Sequence, residues 1–378
     1  MQDDLVCRVE AHASDPEATG ILLQALSSRA LALVVVFLSP QLDDPGRLMT
    51  GLSQALAPVP VIGCTTAGEI GAEGYGEGLV VALGLPARHF LAEALVIPDL
   101  AGLDPEAAIG ALIRVRGALA RARPDWEQEF VFLMVDGLSA KEDELASALA
   151  PGLGRAPLFG GSAADGSRFL ETFVFLGGQP LRNAAVLAVV RSACRVRAFK
   201  VDHFRPTATR MVVTGADPAR RRVTMINAEP AAREYARLLG KDPAQLTPFT
   251  FAAHPVVVRV GGQHHVRSIR QVDENGDLIF YSAIDEGLVL TLAEAGDMVE
   301  HLAKALGDLA ESGAPAAILA CDCVLRRMEA QEKQLTGRVS ALLRAHRVIG
   351  FSTYGEQWNA MHVNQTLTGV ALYPPDRP

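Results

Sequence analysis

The sequence predicts an α+β (mixed αβ) protein of two domains, in which a strand–helix–strand–strand module recurs and forms mixed sheets covered by helices. Three observations carry this. The phrase VIGCTTAGE at 61–69 returns as VIGFSTYGE at 348–356, agreeing at Val, Ile, Gly, Thr, Gly and Glu. A gap-free shift that lays Pro60 on Pro157 also lays Gly63 on Gly160 and Thr65 on Ser162, which gives a middle copy. Each copy follows a short apolar run of strand length and then a helix signal. With 378 residues, 49% of them apolar, the chain can fill two cores at about 100 to 200 residues per domain.

In order, LALVVVFL at 31–38 is a continuous, β-branched-rich run suited to a buried strand. Asp44-Pro45 supplies a helix N-cap with proline in the first turn, and Leu48, Leu52 and Leu56 then fall on one face. Pro58 and Pro60 end that helix, VPVIG enters a second strand, and GLVVALGL at 78–85 reads as a third after a glycine-rich turn. The second copy has FVFLMV at 130–135, a helix opened by the capping-box pattern of Ser139 and Glu142, and then APLFGGSAADG. The third has AAILACD at 316–322, one longer helix to about His346, the repeated phrase, and NQTLTGVAL.

Between the second and third copies the text changes. Residues 195–214 alternate like a strand pair, and EPAAREYARLLG at 229–240 is a short helix with Pro at its start and Gly at its end. HPVVVRVGGQHHVRSI and NGDLIFYSAI are strand text with an Asn-Gly turn signal, and helix text resumes over 294–311. A boundary near Thr224 follows, with 1–224 holding two copies and 225–378 the third.

Composition narrows the function classes. There are 35 basic against 43 acidic residues and no Lys/Arg block, which speaks against nucleic acid as a partner. The longest apolar run, at 30–38, is far short of the ~20 residues that span a bilayer, and the acidic start has no signal-peptide apolar region, so no membrane partner and a cytoplasmic location are expected. Five scattered cysteines form no disulfide framework.

A strand that ends in Gly-x-Thr/Ser-x-x-Gly can bring backbone N–H groups and hydroxyls to a ligand without a Cβ in the way. Tight packing explains a single copy as well; three copies point to strand ends converging on a shared cleft. Its candidate lining is Gly63, Cys64, Thr65, Thr66, Glu69, Tyr354, Glu356, Asn364, Gln365 and Thr366. Cys64 in such a turn could also be an activated thiolate, making a cysteine-dependent hydrolase, although the other copies place Gly161 and Phe351 there. Cys321 and Cys323 share a strand face and read as buried thiols rather than a zinc site. Among nine histidines, His203 lies in apolar strand text ended by Pro206, His254 precedes Pro255 at a loop exit, and His362 stands beside the third glycine phrase. His264 and His265 point to opposite faces of a strand and cannot jointly hold one metal.

The segments GCTTAGEI, INAEPAAREYARLLG, VRSI, GFSTYGE and MHVNQTLTG resemble the FIST sensory domain, with N-terminal and C-terminal parts both present over nearly the whole chain. FKVDHFRPT at 199–207, with CDCVLRR and FSTYGEQ, looks like the stand-alone haem-binding branch of that family, which senses nitric oxide and regulates a histidine kinase or a cyclic-di-GMP enzyme (diguanylate cyclase or phosphodiesterase). The resemblance implies a sensor without catalytic activity that carries haem b, with His203 as the ligand of the haem iron. Phe204 and Arg205 would lie beside it, and His254 and His362 are the further cofactor candidates. The output would lie on a separate chain, and a homodimer is compatible with this. The alternative is a non-haem sensor of an amino-acid-like metabolite, held by Thr65, Thr66, Asn364, Gln365 and Thr366 with Arg326 or Arg327 on a carboxylate.

Overall fold

A computed structural model describes residues 5–375. The first module runs β1 (Cys7–His12), α1 (Ala18–Leu26), β2 (Leu31–Leu38), α2 (Pro45–Ala55), β3 (Val61–Thr65), a hairpin of β4 (Glu69–Gly71) and β5 (Gly74–Gly76), and β6 (Leu79–Pro86). The second repeats this order with β7 (Phe90–Ile97), α3 (Pro105–Ala122), β8 (Gln128–Val135), α4 (Glu142–Leu153), β9 (Leu158–Ser162), the hairpin β10 (Val174–Leu176) and β11 (Gln179–Leu181), and β12 (Ala185–Ser192). The third begins with β13 (Val196–Val201) and is then interrupted by an inserted sheet. The insert comprises β14 (Phe204–Asp217), β15 (Arg222–Ile226), β16 (Glu229–Pro230), α5 (Ala231–Leu239), α6 (Pro248–Ala253), β17 (Val256–Val260), β18 (Gln263–Arg267), β19 (Ile269–Val272), β20 (Leu278–Phe280) and β21 (Val289–Ala295). The third module resumes with α7 (Met298–Ala310), β22 (Ala317–Cys323), α8 (Val324–Glu332), α9 (Thr336–Ala345), β23 (Val348–Thr353), the hairpin β24 (Glu356–Trp358) and β25 (Met361–Val363), and β26 (Leu367–Leu372).

The repeat is a repeat of register. In each module one strand pair is parallel, and Val36 faces Gly63, Leu133 faces Gly160, and Ala320 faces Gly350. A Cβ at Gly160 or Gly350 would overlap the carbonyl oxygen of Leu133 or Ala320, and at Gly63 it would lie 2.7 Å from that of Val36. The glycine at the head of the repeated phrase therefore lets two parallel strands approach, which is the packing explanation.

Each four-stranded sheet is completed by a neighbour's hairpin. β10–β11 pairs with β3, β24–β25 with β9, and β4–β5 with β23, so every module gives a hairpin to one neighbour and receives one from the other. The exchange closes three six-stranded sheets into a ring, here called the barrel, and covers sheet edges that would otherwise be free. The inner faces share one apolar core in which Phe37 stacks on Phe351 with centroids 4.7 Å apart. The outer faces are covered by α1 and α2, by α3 and α4, and by α7 and α9. The ends of β3, β9 and β23 do converge, but on one another. Ala67 N–H donates to Ser352 O (2.8 Å), Ser162 N–H to Gly355 O (2.8 Å) and Ala164 N–H to Thr65 O (2.9 Å), so their backbone groups are used within the ring.

The insert is one eight-stranded sheet, ordered β18-β17-β21-β14-β15-β20-β19 with β16 beside β15. Thr224, where the text suggests a boundary, lies inside β15. The chain enters the insert at 202–203 and leaves at 296–297, and Gly296 N–H donates to His203 O at 2.7 Å across these two crossings.

Several elements differ from the sequence reading. The supposed strand pair at 195–214 is β13 and β14, which belong to different sheets. The helix read over 294–311 begins at Met298, where Asp297 caps it through Val299 and Glu300 N–H. The single long helix of the third copy is α8 and α9, parted near Gln334 at φ 57°. The Ser139–Glu142 capping box does not form: Ser139 Oγ donates to Asp136 O, and Glu142 is buried, in contact with β9 and the insert. Among the described residues no helix is long and apolar enough to cross a membrane.

Candidate functional site

The sequence-predicted residues divide among separate places. Cys64 is 0% exposed in the central core, and burial pushes its thiol well above the ordinary value, so it is not a reactive thiolate. Cys321 and Cys323 are likewise free, buried thiols. Thr65 Oγ1 accepts Phe173 N–H at 3.1 Å, a bond between β3 and the chain leading into β10.

His203 stands at the crossing into the insert and is 1% exposed. Its Nε2 lies 3.0 Å from both carboxylate oxygens of Glu329, and its Nδ1 lies 3.1 Å from the Arg326 guanidinium. Arg326 in turn bonds Asp322 at 2.8 Å, and Lys333 bonds Glu329 at 2.6 Å. Burial holds the imidazole pKa low despite Glu329, which suits a neutral ring that donates from Nε2 and accepts at Nδ1. Both nitrogens are thus occupied. A haem ligand needs a free ring nitrogen facing an apolar slot, and the charged, hydrogen-bonded surroundings of His203 do not fit haem b. Phe204 packs against the His203 ring at 4.4 Å and Arg205 is exposed on β14. His254 is the half-buried C-cap of α6, its carbonyl accepting the Tyr235 hydroxyl. Arg326 is bound to Asp322, and Arg327 to the carbonyl of Gly76 (2.7 Å) and to Glu77.

The Thr-x-x-Glu part of the repeated phrase makes a buried lock. Thr66 donates to Glu69, and Thr353 to Glu356 at 2.5 Å, while Gly68 and Gly355 N–H donate to the same hydroxyls at 3.3 and 3.2 Å. The second carboxyl oxygen of Glu69 accepts Leu79 N–H (3.0 Å), and that of Glu356 accepts Thr366 N–H (3.2 Å) and Oγ1–H (2.7 Å). Burial pushes the two carboxyls up to about 7 and about 8, against the hydrogen bonds that lower them. These glutamates pin the start of two of the three exchanged hairpins, β4–β5 and β24–β25, to the head of the last strand of the same module.

Solvent reaches a different set of residues. Between the end of β8, Tyr354 and the insert lies a cleft of about 140 Å³, walled by Leu138, Glu142, Phe169, Arg221, Arg270, Tyr281 and Tyr354 among others. Larger hollows of about 450 and 350 Å³ lie beside Arg8 and Arg347 and beside Gln41 and Arg327. The smaller cleft is distinguished by unused hydrogen-bonding capacity. Arg221 Nε and Arg270 Nε in its wall, and Ser268 Oγ and Gln357 Oε1 behind it, are buried without a partner, whereas buried polar atoms are normally satisfied.

Irregular backbone occurs here too. Phe169 and Arg221 have φ of 55° and 53°, left-handed values that are uncommon outside glycine. Arg270 is the extra residue of a β-bulge, between the pairs Ile269–Phe280 and Gln271–Ile279. Phe169 stacks on Tyr354 with centroids 4.1 Å apart, and the Tyr354 hydroxyl donates to Asp165. Although burial pushes Asp165 up, bonds from Tyr354 and from Glu171, Leu170 and Phe169 N–H hold its carboxyl below the usual range and fix the loop that carries Phe169.

A polar chain leads from the cleft into the interior. Arg221 donates to Tyr281 O (2.5 Å) and to Glu142, Glu142 accepts Ser162 Oγ (3.3 Å), and Gln357 Nε2 donates to that same Oγ (3.1 Å). Gln357 and Asn364 flank the two nitrogens of His362 at 3.2 and 3.4 Å, and Asn364 Oδ1 accepts Ser268 N–H (3.3 Å) and Ser282 Oγ–H (3.1 Å). His362 is therefore a structural link between barrel and insert, and burial lowers its pKa. Gln365, at φ 52°, has both amide atoms buried without partners. Gly78 and Asn183, at the corresponding corners, also have positive φ. Tyr354 and Asn364 thus meet the insert and Glu356 holds Thr366 beside them, with Gln365 buried between Asn364 and Thr366 in the chain, whereas Gly63, Cys64, Thr65, Thr66 and Glu69 do not line the cleft. Arg221, Arg270, Phe169 and Tyr281 were not singled out by sequence, since neither a bulge nor a left-handed turn at a non-glycine residue leaves a pattern in the text.

Residues 32–229 match the FIST N domain and residues 231–359 match the FIST C domain. A crystal structure of chorismatase is similar over 97% of this chain and 98% of that chain, at 10% sequence identity and a TM-score of 0.37. No curated protein matches the chain.

Proposed function

The chain belongs to the FIST family, whose domains are sensory and bind small ligands, and from that premise we propose that it senses a non-haem small metabolite held in the cleft between the second module and the insert. The observation that carries this is the group of buried, unpartnered polar atoms around the cleft. An unsatisfied polar atom costs about 1–3 kcal/mol, and a ligand that supplies partners to the wall residues Arg221 and Arg270 recovers that cost. The cleft has walls from both barrel and insert, so a ligand that prefers one arrangement of the two biases it by its differential affinity. Glu142, the carboxylate of the wall, is held by Arg221 and Ser162, an arrangement for positioning rather than proton transfer. The output falls to a separate signalling protein, for which the resemblance at 199–207 suggests a histidine kinase or a cyclic-di-GMP enzyme.

A thermal-shift screen of the full chain against amino acids, organic acids, nucleosides and sugars tests the reading, with Leu138→Trp as the variant that fills the cleft. A ligand at a hundredfold excess over its Kd is expected to stabilise the parent by about 2.7 kcal/mol and the variant by little. Equal stabilisation of both proteins would overturn the assignment. A Soret band on adding haem that is lost in His203→Ala would restore the haem reading.

A further inference from the structure

We infer that the ligand of the cleft is a compact carboxylate with an apolar body, and that Arg270 is the residue that binds its charge. The inference rests on the cleft being the sensing site and names the chemistry of what it takes. Among the described residues the other buried and half-buried arginines are committed, for example Arg221 to Glu142, Arg222 to Asp273 and Asp277, Arg326 to Asp322 and Arg116 to Glu129. Arg270 is not. Among the described residues it has no carboxylate partner and no side-chain hydrogen bond, its Nε is buried, and its guanidinium sits over the Phe169 ring at 5.7 Å.

Two further features show that this cation is placed rather than left over. The bulge in β19 puts Arg270 out of register with β20, and bulges re-aim side chains beside functional sites. Phe169, on which the guanidinium rests, is itself held by the Tyr354 stack and the Asp165-bonded loop, so the aromatic side of the cation–aromatic contact is fixed before a ligand arrives. A guanidinium presents paired N–H donors that match a carboxylate. Leu138, Ile279 and Tyr281 supply apolar wall beside it. A cleft of about 140 Å³ suits a compact ligand rather than a nucleotide.

The test is calorimetric titration of the full chain with benzoate, isovalerate and succinate, and with benzamide, isovaleramide and succinamide as neutral counterparts. At least one acid is expected to bind while its amide does not. Arg270→Gln should weaken that acid by about 10- to 100-fold, the range of one charge-assisted contact, and Arg270→Lys should recover part of the loss. Leu138→Trp should abolish binding. If acids and amides bind alike, or Arg270→Gln binds the acids as the parent does, while Leu138→Trp still blocks them, the carboxylate inference is wrong and the cleft stands. Undiminished binding to Leu138→Trp removes both, and failure of every acid to bind the parent removes the carboxylate.

Discussion

Glu356→Gln is expected to flatten the pH dependence of stability and to be most favourable, relative to the parent, at alkaline pH. The Glu356 carboxyl is fully buried, and burial pushes its pKa up to about 8, against about 4.3 in an unfolded chain. Between those values the folded protein holds a proton that the unfolded chain has released. The stabilising contribution of the neutral carboxyl is therefore complete below about pH 4.3 and is lost as the pH rises through 8. That difference of about 3.7 corresponds to about 5 kcal/mol at 1.36 kcal/mol per pKa unit. Glutamine resembles the protonated acid: its carbonyl can accept from Thr366 and its amide can donate to Thr353 Oγ1. Urea unfolding of parent and variant at pH 5, 6, 7 and 8 gives the difference curve, which should rise in favour of the variant by several kcal/mol across this window. The slope remaining in the variant includes Glu69, raised to about 7. Parallel curves, or a variant that loses most stability at pH 8, would show that Glu356 is ionised in the folded chain and refute the reasoning.

Gly350→Ala should cost about 3 kcal/mol or more, because its Cβ meets the Ala320 carbonyl, whereas Gly307→Ala in open space on α7 should add about 0.5–1 kcal/mol; urea unfolding reads both. His203→Ala should destabilise by about 2–4 kcal/mol by leaving Glu329 and Arg326 short of a buried partner. It should also speed amide exchange at 202–206 and 296–297, with His203→Gln intermediate, and native exchange in the alanine variant would contradict the role. Cys64 should resist thiol reagents in the folded chain, and Cys64→Ala should keep the ligand-dependent thermal shift; rapid modification or loss of that shift would reopen the cysteine reading.

The parts of the fold legible in the sequence are those in which one local pattern decides. The run at Leu31–Leu38 is the strand it reads as, and Asp44 caps α2 by accepting Arg47 N–H at 2.8 Å. The threefold repeat holds down to the partner of each glycine. What escaped the reading depends on distant partners. The hairpins β4–β5, β10–β11 and β24–β25 are three-residue strands that pair only with another module, so the text around them reads as glycine-rich turn. Glu142 fits a capping box locally, yet Arg221, far along the chain, draws it into the wall of the cleft. The partners of His203 leave no local trace, because Glu329 and Arg326 come from a helix more than a hundred residues later. The candidate site inherits the same limit: Tyr354 and Asn364 lie in the phrase and its sequel, while Arg221 and Arg270 are recruited by a turn and a bulge of the insert.

Hydrogen–deuterium exchange of the full chain, with and without the compound that gives the largest Leu138-dependent thermal shift, addresses the central claim most directly. The cleft account predicts slowed exchange at 137–140, in the loop at 166–171, and across the insert at 268–271 and 279–282, on both sides of the same cleft. Protection confined to the region of His203 and α8, or to the hollow beside Arg8 and Arg347, with the cleft segments unchanged, would contradict it.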